Sequence, residues 1–339
     1  MTLHIHFGIY KAGSSYIQYI CANQREYLVK NKIYFPESAE DKKMKAGLIS
    51  KGNADGLDAA LKKDDAKKIS TLFKTWLEQA QAHNCKAVLI SAEALVHQLA
   101  IQKRLELLTK TAKDVGYKSI KAMGFFRDLA DHALSTYKHR AKSGKHPDYE
   151  YWIRHNYETP KLLIDLSQTI KNNQDITWSL RKFQKNSNFL KQAFFKDWLK
   201  VETPVFKEQP TVNESLTLSE VKVMNHLKKA YPMVLDYFIN DFKALSKSKK
   251  AKDIALENYV LNTFLKTLQQ HKNSIDQINN FFSMEEQLVI ETFNNRAYDE
   301  PSIQLSDAQL ETLTKRLTFF KVWRGKKIII SKRILRFIR

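Results

Sequence analysis

The chain has 339 residues, 43% of them hydrophobic, which is enough for a sizeable core in one large domain or two small ones. Its 56 Lys+Arg against 36 Asp+Glu leave a formal net charge of +20, which points to anionic company: a phosphorylated cofactor, an acidic glycan, nucleic acid or a membrane surface. Two cysteines, Cys21 and Cys85, exclude a disulfide framework and fit a reducing compartment, and their apolar neighbours suggest a packing role for both. No uninterrupted apolar stretch approaches the roughly 20 residues that cross a bilayer. The opening residues carry no basic leader, so a cytoplasmic protein is expected.

In chain order, LHIHFGI (3–9) alternates and ends at a turn of small residues, which predicts a first strand. From Ser14 onward Ile17, Ile20, Cys21 and Leu28 recur at helical spacing, predicting a helix to about Lys30 that breaks before Pro36. A lysine-rich, weakly patterned stretch to about residue 66 reads as short helices and loops. Next, KKISTLFKTWLEQAQAHN is an amphipathic helix with Ile69, Leu72, Trp76 and Leu77 on one face. CKAVLIS (85–91) and YKSIKAMGFF (117–126) are predicted buried strands with a helix around 102–114 between them, and DITWSLRKF (175–183) is a fourth strand. Strands alternating with helices predict an α/β fold with a parallel sheet flanked by helices. Beyond residue 213 the pattern turns helical, at about 218–247, 252–275, 284–296 and 305–320. The expected organisation is a single domain over 1–339: an α/β core (1–212), a helix-rich C-terminal portion (213–320) and a basic tail (321–339).

HFGIYKAGSSYIQ (6–18) spans the junction between the first strand and the first helix. A strand, a small-residue turn and a helix start gather backbone N–H groups around one point, where the helix dipole favours an anion. Ala12 and Gly13 let the backbone approach closely, Ser14 and Ser15 add hydroxyls, and Lys11 adds a mobile positive charge. A nucleoside-triphosphate P-loop places its lysine just after the second glycine, whereas here Lys11 precedes Gly13, so an ATPase is disfavoured.

The order instead resembles the phosphosulfate-binding loop of sulfotransferases, Pro-Lys-Ser/Thr-Gly-Ser/Thr-Ser/Thr after the first strand. Lys11, Gly13, Ser14 and Ser15 match, while Tyr10 stands at the proline and Ala12 at the next variable position. GFFRDLADHALSTYKHRAKSG (124–144) resembles the family's 3′-phosphate site, with Arg127 at a strand end and Ser135 eight residues later. Its STYKHRAKSG run resembles SLYxxxVKxG of bacterial members. ANQREYLVKNKIYFP (22–36) resembles their NRxxLxxxGxxYP, and VNESLTLSEVKVMNHL (212–227) resembles their xNxSLSxEAxxLLxxL. These matches fall in order over roughly residues 3–230, with a fainter echo at 283–300.

The resemblance implies a P-loop-like sheet and transfer of a sulfuryl group from 3′-phosphoadenosine 5′-phosphosulfate (PAPS) to a hydroxyl or amine. The acceptor it implies is a carbohydrate, such as a surface polysaccharide or glycolipid precursor. Such transfer demands in-line geometry, neutralisation of a departing phosphate and a base for the nucleophile, and needs no metal when protein groups hold the leaving group. By the same comparison Lys11 would stabilise the leaving oxygen. The N–H groups of Gly13, Ser14, Ser15 and Tyr16, made accessible by Ala12 and Gly13, would hold the 5′-phosphate. Arg127 and Ser135 would hold the 3′-phosphate. The base is expected just after the second predicted strand, where VLISAEAL offers Glu93, with His97 as the substitute four residues on.

Other features carry less. His4 and His6 share a face of the first strand, but nothing beside them suggests a metal site. His132, His139 and His146 read as a solvated helix edge running into a loop. Tyr149, Tyr151 and Trp152 fit either an acceptor cleft or a core or lid patch. The tail FKVWRGKKIIISKRILRFIR (320–339) fits either peripheral contact with the inner face of an anionic membrane or a terminal helix packed on the domain. Two alternatives stay open beside the sulfotransferase: a catalytically inactive binding protein of that family, and a basic nucleic-acid-binding α/β protein. The last expects aromatic residues interleaved with basic ones, and no such repeat is visible, so no nucleic acid is expected as partner.

Overall fold

A computed structural model describes residues 1–142, 148–206, 216–228, 235–291 and 299–323. The chain divides into two compact units: Met1–Leu129 with Glu158–Val212 and Gln270–Ile290, and Ala130–Tyr157 with Asn213–Gln269 and Glu291–Arg339. Residues 130–157 join the second unit, and 270–290 return to the first.

The first unit is α/β. Its strands are β1 (Thr2–Gly8), β2 (Ile33–Tyr34), β3 (Ala87–Ser91), β4 (Ser119–Phe126) and β5 (Ile176–Lys182). They form a 5-stranded sheet in the order β2-β3-β1-β4-β5, and every pairing is parallel. Three of the four strands read from the pattern are central (β1, β3 and β4), and two of these explain their own sequences. β3 is buried along its whole length and β1 is buried beyond Thr2, as strands covered on both faces must be. Leu3, Ile5 and Phe7 face one layer, where Phe7 meets Phe126 at 6.1 Å and Trp178 at 5.9 Å between ring centroids. His4 and His6 face the other layer, against Trp198 and Phe194. β2 has only two residues, too short to alternate, so its segment reads as a helix break from sequence.

Several helices differ from their predicted extents. The first helix ends at Asn23 and a second runs Arg25–Lys30, because Gln24 leaves the helical region at φ −114°, ψ 30°. Beside that break the Arg25 guanidinium donates to Phe35 O (3.1 Å), Pro36 O (3.3 Å) and Asp41 Oδ1 (2.8 Å), latching the chain leaving β2. The helix Ala66–Ala82 buries Ile69, Phe73, Trp76 and Ala80; Leu72 and Leu77 lie half-exposed at the stripe's edges. At 284–291 the predicted helix is absent: one 3-10 turn, Met284–Glu286, is followed by irregular chain. Glu286 turns to the sheet edge, binding Arg181 Nη2 at 2.6 Å and the Lys182 N–H at 3.0 Å.

The second unit is helical, with Leu129–Ala141 (from Ala130 on), Tyr149–His155, Leu218–Lys228, Leu235–Ala244, Ile254–Leu268 and Asp307–Trp323. Its core includes Trp152, whose ring lies 5.6 Å from Tyr137 and 5.8 Å from Phe264, while Tyr151 points outward. Trp152 is therefore core, and the three aromatics do not share a face. His132 is not solvated: it is buried, with Nδ1 2.8 Å from the Tyr157 hydroxyl, which satisfies it inside the core. Thr217 and Glu220 form a reciprocal capping box at the start of Leu218–Lys228 (2.8 and 3.2 Å). His146 and residues 324–339 of the basic tail lie outside the described residues. No helix among the described residues is long and apolar enough to cross a membrane.

Candidate active site

The chain leaves β1 towards β2 and β3, then crosses to the other side of β1 for β4 and β5. The strand order reverses at β1, and in open parallel sheets ligands bind at the carboxyl ends beside such a point. Three of the candidate residues meet there: Lys11 after β1, Glu93 after β3 and Arg127 after β4.

The β1 turn is conformationally demanding. Lys11 has φ 65° and Gly13 φ 88°, both left-handed. For glycine this conformation is free; for lysine it costs on the order of 1 kcal/mol, and such outliers cluster at functional sites. A Cβ on Gly13 would lie 2.9 Å from Leu190 Cδ1 and 3.0 Å from Phe183 Cε2, so space as well as φ demands glycine. Gly8 also approaches closely, since a Cβ there would sit 3.0 Å from the Phe125 carbonyl oxygen.

Gly13 caps the first helix without any side-chain hydrogen bond. Its carbonyl accepts from the amides of Tyr16 (3.0 Å) and Ile17 (3.2 Å). The Tyr16 N–H, expected to face a phosphate, is thus engaged within the turn. The first-turn amides of Ser14 and Ser15 precede any i−4 acceptor in the helix. Ser14 is 3% exposed, and its Oγ has no hydrogen-bond partner. Buried hydroxyls are almost always paired, so this oxygen at the turn has hydrogen-bonding capacity that the described residues do not use. One turn on, the buried Gln18 has its Nε2 unpartnered while its Oε1 accepts from Ser50 at 2.7 Å.

Arg127 is 8% exposed and reaches back to the turn, its Nη1 donating to the Lys11 carbonyl at 3.2 Å. Its guanidinium lies 5.3 Å over the Phe183 ring, a residue just past β5 whose part in the site nothing in the local pattern signals. Asp128, the next residue, bonds the Lys182 ammonium at 2.8 Å and accepts from the Val289 N–H at 2.8 Å, fixing the strand exit.

Glu93 lies in the turn before the short helix Leu95–Leu99, so it does not share a helical face with His97. Burial pushes its carboxyl up to about 7, although the Lys11 charge and a hydrogen bond from the Lys11 backbone N–H both pull it down. His97 is exposed, its ring 6.0 Å from that of Tyr10, which is 41% exposed. Ala12 is fully buried beneath the turn, and Ser15 is half-exposed. Ser135 is half-buried on Leu129–Ala141, within the second unit.

His4 and His6 lie deeper on β1. Burial drives His4 down to about 4, helped by Lys121, and His6 down to about 3. His6 Nδ1 is 2.8 Å from Ser91 Oγ. Among the described residues no group of three or more His, Cys, Asp or Glu side chains could hold a metal ion.

Lys11, Glu93, Arg127 and the Gly13–Ser15 turn thus lie together at the carboxyl ends of β1, β3 and β4, with two cationic residues and one carboxyl raised by burial. No protein-family model, curated protein or solved structure matches the chain.

Proposed function

We propose that this protein is a PAPS-dependent sulfotransferase acting on a carbohydrate acceptor. The observation that carries the reading is the bond from Arg127 Nη1 to the Lys11 carbonyl, which brings the guanidinium at the end of β4 to the glycine turn that follows β1. The residues present fit such a cofactor: the unpartnered Ser14 Oγ, the first-turn amides of Ser14 and Ser15, and the cationic side chains suit a doubly phosphorylated nucleotide.

When bound, PAPS supplies a sulfuryl group attached to a phosphate that departs as an anion. The Ser14 and Ser15 amides and the Ser14 hydroxyl would bind the 5′-phosphate, and Arg127 the 3′-phosphate. Lys11 would bring a positive charge to where negative charge grows, an effect strengthened by any desolvation of the site. Glu93, with its carboxyl near 7, is ionised in a useful fraction at neutral pH and can take the acceptor's proton at a carboxylate oxygen. The exposed Tyr10 ring, beside Lys11 in the chain, offers a flat apolar surface of the kind sugar rings stack on.

The test is ligand-induced thermal stabilisation followed by transfer assays. Adenosine 3′,5′-bisphosphate is expected to raise Tm, with little effect from ATP, because binding to the native state alone adds stability. Lys11→Ala is expected to lower sulfuryl transfer from labelled PAPS to polysaccharide acceptors more than it lowers nucleotide affinity. Arg127→Ala should mainly weaken the nucleotide. Equal response to ATP and the bisphosphate would sink the proposal.

A further inference from the structure

We infer that Phe183 is a positioning residue for this site: its aromatic ring holds the Arg127 guanidinium beside the Gly13 turn, and thereby sets the preference for a nucleotide bearing a 3′-phosphate. The inference rests on the sulfotransferase reading above.

Three contacts converge on this side chain. Its own amide donates to the Phe126 carbonyl at 2.5 Å, extending the β4–β5 ladder to the residue next to Arg127. The Arg127 guanidinium carbon lies 5.3 Å over the ring. Against the same ring sits Gly13, where an added Cβ would lie 3.0 Å from Cε2 and 3.4 Å from Cδ2. The bond from Arg127 Nη1 to the Lys11 carbonyl closes the circuit of ring, guanidinium and turn.

A free arginine side chain carries about 2 kcal/mol of rotamer entropy, and a flat ring beneath the guanidinium removes much of that freedom before any anion arrives. Arg127 is 8% exposed, so its attraction to the ring operates with little water between them. The two phosphate-holding elements therefore share one wall. Losing the ring frees the guanidinium that reads the 3′-phosphate, whereas the amides that read the 5′-phosphate keep their place in the helix.

Isothermal titration of adenosine 3′,5′-bisphosphate and of adenosine 5′-monophosphate tests this on the full chain. The wild type is expected to prefer the bisphosphate. Phe183→Met, which fills the volume without a π-face, should reduce that preference about tenfold, equivalent to ~1.4 kcal/mol. Phe183→Tyr keeps the face and should retain the preference. Arg127→Lys leaves the ring and its packing in place and should lose preference by itself. Added to Phe183→Met it should cost no more, since both changes remove one coupled interaction. A purely structural Phe183 would weaken both nucleotides by the same factor in Phe183→Met, and that result, or full additivity of the pair, overturns the inference. Should Phe183→Met fail to fold, an unchanged preference in Arg127→Lys overturns it instead. A wild type that does not favour the bisphosphate would show that the sulfotransferase reading itself fails, and this inference with it.

Discussion

Buried ionisable groups on and near β1 give the protein opposite pH sensitivities at two positions. His4 and His6 bind protons readily when unfolded, near 6.5, but only at about 4 and about 3 when folded. Their contribution is fully present above about 6.5 and is lost as pH falls towards 3, because the unfolded state then binds more protons. His4→Phe is therefore expected to flatten the fall in urea midpoint between pH 6.5 and 4. Glu93 runs the other way. Its folded carboxyl titrates near 7 against 4.5 for the free group, so its contribution is present below 4.5 and lost as pH rises through 7. Glu93→Gln should raise Tm over the wild type by an amount that grows from pH 5 to pH 8. Under the proposed function, sulfuryl transfer by the same variant should drop at least about a hundredfold, in line with loss of a general base. A pH-independent Tm difference would contradict the burial of this carboxylate.

At the scale of elements, the β1 turn concentrates the constraints. Residue types there were readable from the sequence: Lys11, Gly13, Ser14 and Ser15 stand out because their order between a strand and a helix resembles a phosphosulfate-binding loop. The αL conformation of Lys11 was not, nor was the wall of Phe183 and Leu190 against Gly13, which is built by chain about 170 residues away. Gly13→Ala meets both a positive φ and two close contacts, and should destabilise the fold by about 1–3 kcal/mol in urea unfolding and, under the proposed function, abolish nucleotide binding. Lys11→Gly relieves the strain and removes the charge together. It is expected to keep or raise Tm yet lose turnover, which separates the turn's stability from its chemistry.

Across the whole molecule, the α/β part is not a contiguous stretch. Residues Gln270–Ile290 belong to it, and they carry the helix Lys272–Asn279 that packs on Thr159–Asn172, the Phe282 ring 5.8 Å from Phe126, and Glu286 on the β5 edge. A fragment ending at residue 212 leaves these surfaces bare. It should bind the dye ANS and show poor amide dispersion in NMR spectra, unlike the full chain. A well-dispersed, cooperative 1–212 fragment would show that the returning segment adds nothing essential.

Sequence alone determined the strand–turn–helix start and the parallel α/β class, because each depends on short-range periodicity. The choice of Lys11, Glu93 and Arg127 after β1, β3 and β4 came from the resemblance of their motifs to the sulfotransferase pattern. Tertiary structure decided what those cues do not contain: the two-residue β2, the burial of His132 and Trp152, the contribution of 270–290 to the sheet unit, and the ring of Phe183 under Arg127. Burial and contact are set by which distant segments arrive at a surface, and no local pattern encodes that arrival.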